Sequence, residues 1–131
     1  MGLFTSLFNG NDEEKNEERI NWIPLTEMNQ LATLILQSKI KPALIFKHST
    51  RCGVSRMALR NFEKEFAIEN DKIDLHFLDL LSYREISGEI ASNFNVYHQS
   101  PQVLLISDEK VIYHNSHYQI SANEIKKLIT V

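Results

Sequence analysis

The hydrophobic positions of this chain form short runs in some segments and stripes of helical spacing in others. Strand-like runs or alternations occupy residues 20–25, 43–46, 73–77, 103–106 and 111–113. Between them, apolar residues recur every three or four positions, which predicts four amphipathic helices. These apolar residues are Met28, Leu31, Leu34 and Ile35; Val54, Ala58, Leu59, Phe62 and Phe66; Tyr83, Ile86, Ile90, Ala91 and Phe94; and Ile125, Leu128 and Ile129. The predicted order is β-α-β-α-β-α-β-β-α.

Polar residues predict where several elements begin and end. Residues typical of helix N-caps are Thr26 before the first helix, Ser82 with Glu85 before the third, and Ser121 with Glu124 before the last. The third helix is expected to end near Asn93 or Asn95. The polar segment 107–110 is expected to join the last two strands into a hairpin, although it lacks the glycine that such turns favour.

This order predicts an α/β fold in which a central mixed sheet is flanked by helices. Right-handed crossovers make the first strands parallel, and the hairpin adds antiparallel strands. The length of 131 residues fits one domain, and a composition with 43% hydrophobic and 24% charged residues is that of a globular protein. We predict an acidic flexible tail over residues 1–19 and one folded domain over residues 20–131.

Composition excludes several classes of protein. No apolar stretch approaches the roughly 20 residues that span a bilayer, so we expect no membrane partner. The amino terminus has no basic leader, and its apolar segment is too short for a secretory signal, so we expect a cytoplasmic protein. The single cysteine, Cys52, excludes an intrachain disulfide, and the histidines show no helical metal-ligand spacing, so no metal site is expected.

Charge is distributed unevenly along the chain. The segment 1–19 carries five acids and two bases, which accounts for the whole net charge of −3. From Met28 to Phe62 there is no acid but there are six bases: Lys39, Lys41, Lys47, Arg51, Arg56 and Arg60. Either these bases form a positive field around Cys52 or they cluster by chance on a solvated face. Because the chain is acidic overall and lacks a basic stripe with interleaved aromatics, nucleic acid is not an expected partner.

Cys52 is the residue whose surroundings point to chemistry. It lies where the strand 43–46 gives way to the second helix, and a helix N-terminus together with Arg51 and Arg56 favours the thiolate. Ser55 occupies the position of the second thiol of a Cys-x-x-Cys pair, so any redox chemistry is monothiol. A cysteine phosphatase is excluded, because Arg56 follows the cysteine too soon for a phosphate-binding loop. The alternative is a buried, inert cysteine.

Three motifs resemble those of the YtxJ-like monothiol bacilliredoxins of the thioredoxin superfamily. They are Lys47-His-Ser-Thr-Arg-Cys-Gly-Val-Ser55, Ser100-Pro101 at the start of a strand, and His114-x-Ser116-His117-x-x-Ile120. The resemblance covers roughly Trp22 to the end of the chain. It implies a thioredoxin-like fold in which the prolyl bond of Pro101 is cis and its loop faces Cys52.

The resemblance also implies an activity, the removal of bacillithiol from mixed disulfides on cytosolic proteins. The Cys52 thiolate would become bacillithiolated and would then be regenerated by another low-molecular-weight thiol or by a partner reductase. Bacillithiol or a similar thiol is thus a co-substrate, and no resident cofactor is expected. The expected site residues are Gly53, Val54 and Ser55 as donors to the sulfur, Arg51 and Arg56 as sources of field, Ser100 and Pro101 as substrate-positioning residues, and His117, with His48 and His114, lining the cleft.

Two other functions remain open at this point. Cys52-Gly-Val-Ser55 also resembles the motif of monothiol glutaredoxins, some of which carry iron–sulfur clusters. That family has a Gly-Gly turn after its cis-proline strand, whereas this chain has no glycine after Gly88. The third possibility is a non-enzymatic thioredoxin-like binding module in which Cys52 is idle.

Overall fold

The computed structural model describes residues 20–129, so the predicted acidic tail lies outside the described residues. The strands are β1 (Trp22–Pro24), β2 (Ala43–His48), β3 (Asp74–Asp79), β4 (Gln102–Ser107) and β5 (Lys110–Ser116). The helices are α1 (Met28–Gln37), α2 (Gly53–Glu65), α3 (Arg84–Phe94), α4 (Ala122–Ile129) and a 3-10 helix (His117–Gln119). The predicted order of strands and α-helices is confirmed, with the 3-10 helix added between β5 and α4.

The five strands form one mixed sheet in the order β1-β3-β2-β4-β5. Strands β1 and β2 both run parallel to β3, while β4 is antiparallel to β2 and β5 is antiparallel to β4. The predicted α/β class with a mixed sheet is therefore confirmed. Pro24 lies on the edge strand β1, where its missing N–H removes no hydrogen bond from the sheet interior.

Two hydrophobic layers cover the sheet, one on each face. Phe46, Phe62, Phe66, Leu75 and Ile125 belong to the layer with α2 and α4. Leu31, Leu34, Ile45, Leu78 and Ile90 belong to the layer with α1 and α3. Strand β2 is buried along its whole length because helices cover both of its faces.

The helix caps agree with the sequence only in part. At the start of α1 the Gln30 side chain accepts hydrogen bonds from the N–H groups of Thr26 (2.7 Å) and Glu27 (2.8 Å), and Glu27 rather than Thr26 is the N-cap. The box predicted at Ser82 is wrong, because this hydroxyl donates to Asp79 (3.1 Å) at the end of β3 instead. Asn95 ends α3 in the left-handed region, with φ 54°, as predicted.

The hairpin between β4 and β5 turns without glycine. Asp108 and Glu109 adopt φ angles of 53° and 68°, the left-handed backbone that a tight hairpin requires. Ser38, the residue that follows α1, bonds to both turn residues. Asp108 N–H donates to the Ser38 carbonyl (2.8 Å), and Glu109 N–H donates to Ser38 Oγ (2.8 Å). These contacts outside the hairpin help to hold a turn that its own residues do not favour.

Lys47 is a buried cation inside the sheet. Its side chain extends from β2 toward α3, where Nζ lies 3.3 Å from the Ser87 carbonyl oxygen and 3.2 Å from Nδ1 of His98. Burial lowers the pKa of Lys47 from 10.5 to about 8. Burial and the neighbouring Lys47 charge both lower the pKa of His98, which favours the neutral imidazole that can accept from Nζ.

Replacing Lys47 by Met should remove a distinct pH dependence of stability. Between pH 8 and 10.5 the unfolded chain binds more protons at this position than the folded chain, so the free energy of unfolding rises with pH. From about pH 7.5 to about pH 9.5, the rise in the parent protein should exceed that in Lys47→Met by about 2 kcal/mol, measured by urea denaturation. The exposed Lys110→Met is the control and should behave like the parent. Equal pH slopes for the parent and Lys47→Met would contradict the buried charge.

Candidate active site

Cys52 lies at the amino terminus of α2, one short turn after β2 ends. Its own N–H donates to the Ser49 carbonyl (3.2 Å), and its carbonyl accepts the first hydrogen bond of the helix from Arg56 N–H (3.1 Å). The side chain is partly exposed. The predicted strand-to-helix junction is therefore present, and the sulfur is not sealed in the core.

The sulfur makes no capping hydrogen bond to α2, although Cys52 is the N-cap residue. The donation expected from the amides of Gly53 and Val54 is thus absent, in keeping with the weak acceptor strength of sulfur. Cys52 therefore lies beside the amino terminus of α2 without a side-chain hydrogen bond to it.

Ser55 lies beneath the cysteine loop and is fully buried. Its Oγ accepts a hydrogen bond from Ser49 N–H (3.0 Å) and lies 2.8 Å from Nδ1 of His48. The hydroxyl is therefore engaged by β2 and the loop, whereas the sequence interpretation assigned it to the sulfur of Cys52. We call these three residues, His48, Ser49 and Ser55, the loop network.

His48 connects the loop network to the end of β3. Its ring packs 5.4 Å from that of Phe77, and it pairs in register with Asp79. Burial lowers the pKa of His48, with the Asp79 carboxylate acting in the opposite direction and Arg56 in the same direction. A neutral imidazole can accept a hydrogen bond from the Ser55 hydroxyl at Nδ1. The sequence interpretation assigned His48 to the cleft and gave Ser49 no role, yet both residues stand in the quoted motif.

Three exposed arginines surround the cysteine end of α2. Arg56 Nη1 donates to the Thr50 carbonyl (3.2 Å), so this guanidinium lies across the loop that carries Cys52. Its Nη2 lies 3.7 Å from the position that a Cβ on Gly53 would occupy. Arg51 and Arg60 are exposed as well. This end of the helix is therefore positive, as the functional interpretation of the charges expects.

The other three bases of the acid-free segment lie elsewhere. Lys39 pairs with Glu109 (3.8 Å) and Lys41 with Asp74 (3.0 Å), near the amino end of β2. Lys47 is buried on the face of the sheet that carries α3, away from α2. Proximity in sequence thus overestimated the number of cations around the cysteine. Lys39 and Lys41 lie near the opposite end of β2, and Lys47 lies on the opposite face of the sheet.

The loop before β4 shares the sheet edge at which β2 ends. The Ser100–Pro101 bond is cis, and Gln102 of β4 pairs with Lys47 of β2. The Pro101 carbonyl accepts a hydrogen bond from His117 N–H (3.1 Å), so the residues predicted from two separate motifs do come together. Among residues 20–129, the buried Ser100 Oγ has no hydrogen-bond partner.

His114 does not join this group. It lies exposed within β5, opposite Leu104 of β4, whose side chain belongs to the layer with α1 and α3. Its place in the cleft was therefore wrongly expected, because the alternation of a strand directs it to the face that does not carry α2.

A groove runs beside the cysteine between α2 and the 3-10 helix. Its volume is about 480 Å³ and its lining residues are Gly53, Val54, Arg56, Met57, Arg60 and Tyr118. We call it the α2 groove. Sequence reasoning gave Met57, Arg60 and Tyr118 no individual place in the site. The four-residue spacing of Arg56 and Arg60 on a helix was the available signal.

The described residues contain neither a metal-binding cluster nor a membrane-spanning helix. No three His, Cys, Asp or Glu side chains between residues 20 and 129 are grouped closely enough to hold a metal ion. Within the same range, no helix has the length and apolar character needed to cross a membrane.

Solved structures of similar fold include thioredoxins and an oxidoreductase with a thioredoxin fold. A candidate oxidoreductase with a thioredoxin fold is 25% identical with a TM-score of 0.69, over 81% of this chain and 91% of that one. The thioredoxin of Malassezia sympodialis is 18% identical with a TM-score of 0.62, over 82% and 86%. That of Fasciola hepatica is 20% identical with a TM-score of 0.58, over 82% and 95%. The thioredoxin-like fold that the motifs implied is confirmed.

A match to a family model identifies the family within this fold. The model of the monothiol bacilliredoxin BrxC matches residues 23–125, which include Cys52, Pro101 and His117. The match spans most of the chain and contains all three motifs of the cysteine site. With one partly exposed cysteine at a helix terminus, a cis-proline loop at the same sheet edge and this match, the chain belongs to the monothiol bacilliredoxin family.

Proposed function

We propose that this thiol oxidoreductase removes bacillithiol, or a similar low-molecular-weight thiol, from mixed disulfides on cytoplasmic proteins. The observation that carries the proposal is the environment of Cys52, a partly exposed cysteine at the amino terminus of α2. It is the only cysteine of the chain, so no second thiol can close an internal disulfide. The reaction must therefore proceed through a mixed disulfide with another molecule.

The first step is an exchange at the sulfur of the small thiol. The Cys52 thiolate attacks that sulfur, a new S–S bond forms, and the bond to the substrate protein breaks. The protein sulfur leaves as a thiolate and takes a proton from solvent. The small thiol is then attached to Cys52, and the substrate protein has recovered its free cysteine.

The second step returns Cys52 to its reduced state. Another thiolate, from a second small thiol or a partner reductase, attacks the small-thiol sulfur of the mixed disulfide. Cys52 leaves as a thiolate, and the small thiol departs in a new disulfide with the second thiol, which is the group oxidised in the overall reaction. Ser55 stands where the resolving cysteine of a dithiol enzyme would be, and its hydroxyl is bonded within the loop network.

The charges at the site support an anionic substrate and an ionised sulfur. Arg51 and Arg56 add positive field to that of the α2 amino terminus, and both are exposed to solvent. We assign the loop of Ser100 and Pro101, held by His117, to the positioning of the substrate. In this proposal Gly53 and Val54 form the wall next to the sulfur.

Replacing Cys52 by Ser should abolish removal of bacillithiol from a bacillithiolated model protein, because a hydroxyl does not exchange with disulfides. Turnover is followed by release of the free protein thiol, with an excess of bacillithiol as reductant. The matched control is the double variant Cys52→Ser with Ser92→Cys, which keeps one thiol but moves it to an exposed position on α3. It should remain inactive. Turnover by either variant at the parent rate would overturn the proposal.

The thiol of Cys52 should react faster at slightly acidic pH than the relocated thiol of the double variant. Iodoacetamide alkylates the thiolate, and the helix terminus and arginines favour that form at residue 52. At about pH 6.5 we expect Cys52 to be alkylated about three times faster than the control thiol, or more. A larger thiolate fraction raises the rate, while the weaker nucleophilicity of a less basic thiolate offsets part of that gain. Added salt should reduce the difference by screening the arginines. An idle cysteine in a binding module would react no faster than the control.

A further inference from the structure

The α2 groove has the size of a small-molecule site and includes the two residues that follow Cys52. Its volume of about 480 Å³ falls within the roughly 300–1,000 Å³ of typical ligand pockets. Gly53 and Val54, the residues that directly follow Cys52, line it. A molecule joined to Cys52 through a disulfide therefore starts beside two residues of the groove wall.

Two guanidinium groups give the groove its charge. Arg56 and Arg60 are one helical turn apart, which puts their Cβ atoms about 5–6 Å from each other on the same face of α2. Among residues 20–129, the guanidinium of Arg60 forms no hydrogen bond or ion pair, and no acid lines the groove. Arg56 is anchored by one bond from Nη1 to the Thr50 carbonyl. The two side chains match a pair of carboxylates, because guanidinium and carboxylate groups form two-point hydrogen bonds.

The remaining walls are apolar and exposed. Tyr118, in the middle of the 3-10 helix, is 76% exposed, and Met57 is 50% exposed. An aromatic face and a flexible thioether next to two cations suit a ligand that has an apolar or sugar-like body between its charged groups. Neither side chain belongs to the hydrophobic layers of the core.

We propose that the α2 groove binds the small-thiol half of the mixed disulfide and that Arg60 recognises a carboxylate of that thiol. This inference rests on the proposed function and adds a basis for selectivity: thiols with two carboxylates are preferred over neutral ones. The substrate protein then occupies the other side of Cys52, at the loop of Pro101 and His117. In this arrangement Arg60 determines specificity and takes no part in the exchange of sulfur atoms.

The kinetic test compares Arg60→Gln with the parent on one model protein that carries either bacillithiol or 2-mercaptoethanol in its mixed disulfide. For bacillithiol, KM should rise about tenfold while kcat changes little, because one charged hydrogen bond is lost from binding. For the neutral thiol, neither constant should change. Arg60→Lys should recover part of the affinity, and Arg84→Gln, which removes an exposed arginine on α3, should match the parent.

A binding measurement separates failure of this inference from failure of the proposed function. S-methyl bacillithiol, which cannot exchange, is titrated into the parent and Arg60→Gln proteins while backbone amide NMR signals are followed. The signals of Arg60 and Tyr118 should shift in the parent, and saturation should need about tenfold more ligand in the variant. If the parent catalyses no exchange yet binds the ligand this way, the proposed function fails and the groove assignment stands. If Arg60→Gln equals the parent with both probes, or weakens both mixed disulfides equally, the groove assignment is overturned.

Discussion

The hydrogen bonds among His48, Ser49 and Ser55 hold the loop that places Cys52 at the start of α2. Strand β2 is buried on both faces, and the polar ring of its last residue, His48, is therefore buried as well. The ring engages Ser55 on α2, and Ser55 accepts the N–H of Ser49 from the intervening loop. This network joins the strand to the helix on either side of the short loop that carries Cys52. The position of the sulfur at the helix terminus follows from it.

The loop network also explains how a monothiol site keeps its shape without a second cysteine. In a Cys-x-x-Cys pair the second sulfur is a reaction partner, whereas here Ser55 is fully buried and is bonded to His48. Its hydroxyl therefore has a structural role, and the exchange chemistry passes to external thiols. Around this loop lie the exposed Arg51 and Arg56, and the Pro101 loop lies at the same sheet edge.

The sequence predicted the architecture well, because hydrophobic periodicity reports burial directly. All five strands and four α-helices of the described residues, their order and the mixed sheet followed from it, together with the position of Cys52. Local polar signals were less dependable. Ser82 resembles a helix cap, but its hydroxyl donates to Asp79 at the end of β3 instead. His76 reads as the polar face of an alternating strand, yet it is buried because β3 is an interior strand covered on both sides.

Contacts between side chains that are distant in sequence could not be predicted from the sequence alone. Lys39 and Lys41 are near Cys52 in sequence but lie toward the other end of β2, where Glu109 and Asp74 pair with them. Tyr118 is distant in sequence but reaches the groove beside the cysteine. Such relations depend on strand pairing and on the path of the last loop, which no local pattern specifies.

The central claim, that Cys52 receives the small thiol from the substrate, is tested most directly by a single-turnover transfer experiment followed by intact-protein mass spectrometry. Reduced protein is mixed with an equal amount of bacillithiolated substrate, without any other thiol, and both masses are recorded over time. The account predicts that the substrate loses one bacillithiol as this protein gains one, with the adduct on Cys52. A substrate that keeps its modification, or a persistent disulfide between the two proteins with bacillithiol released, would contradict it.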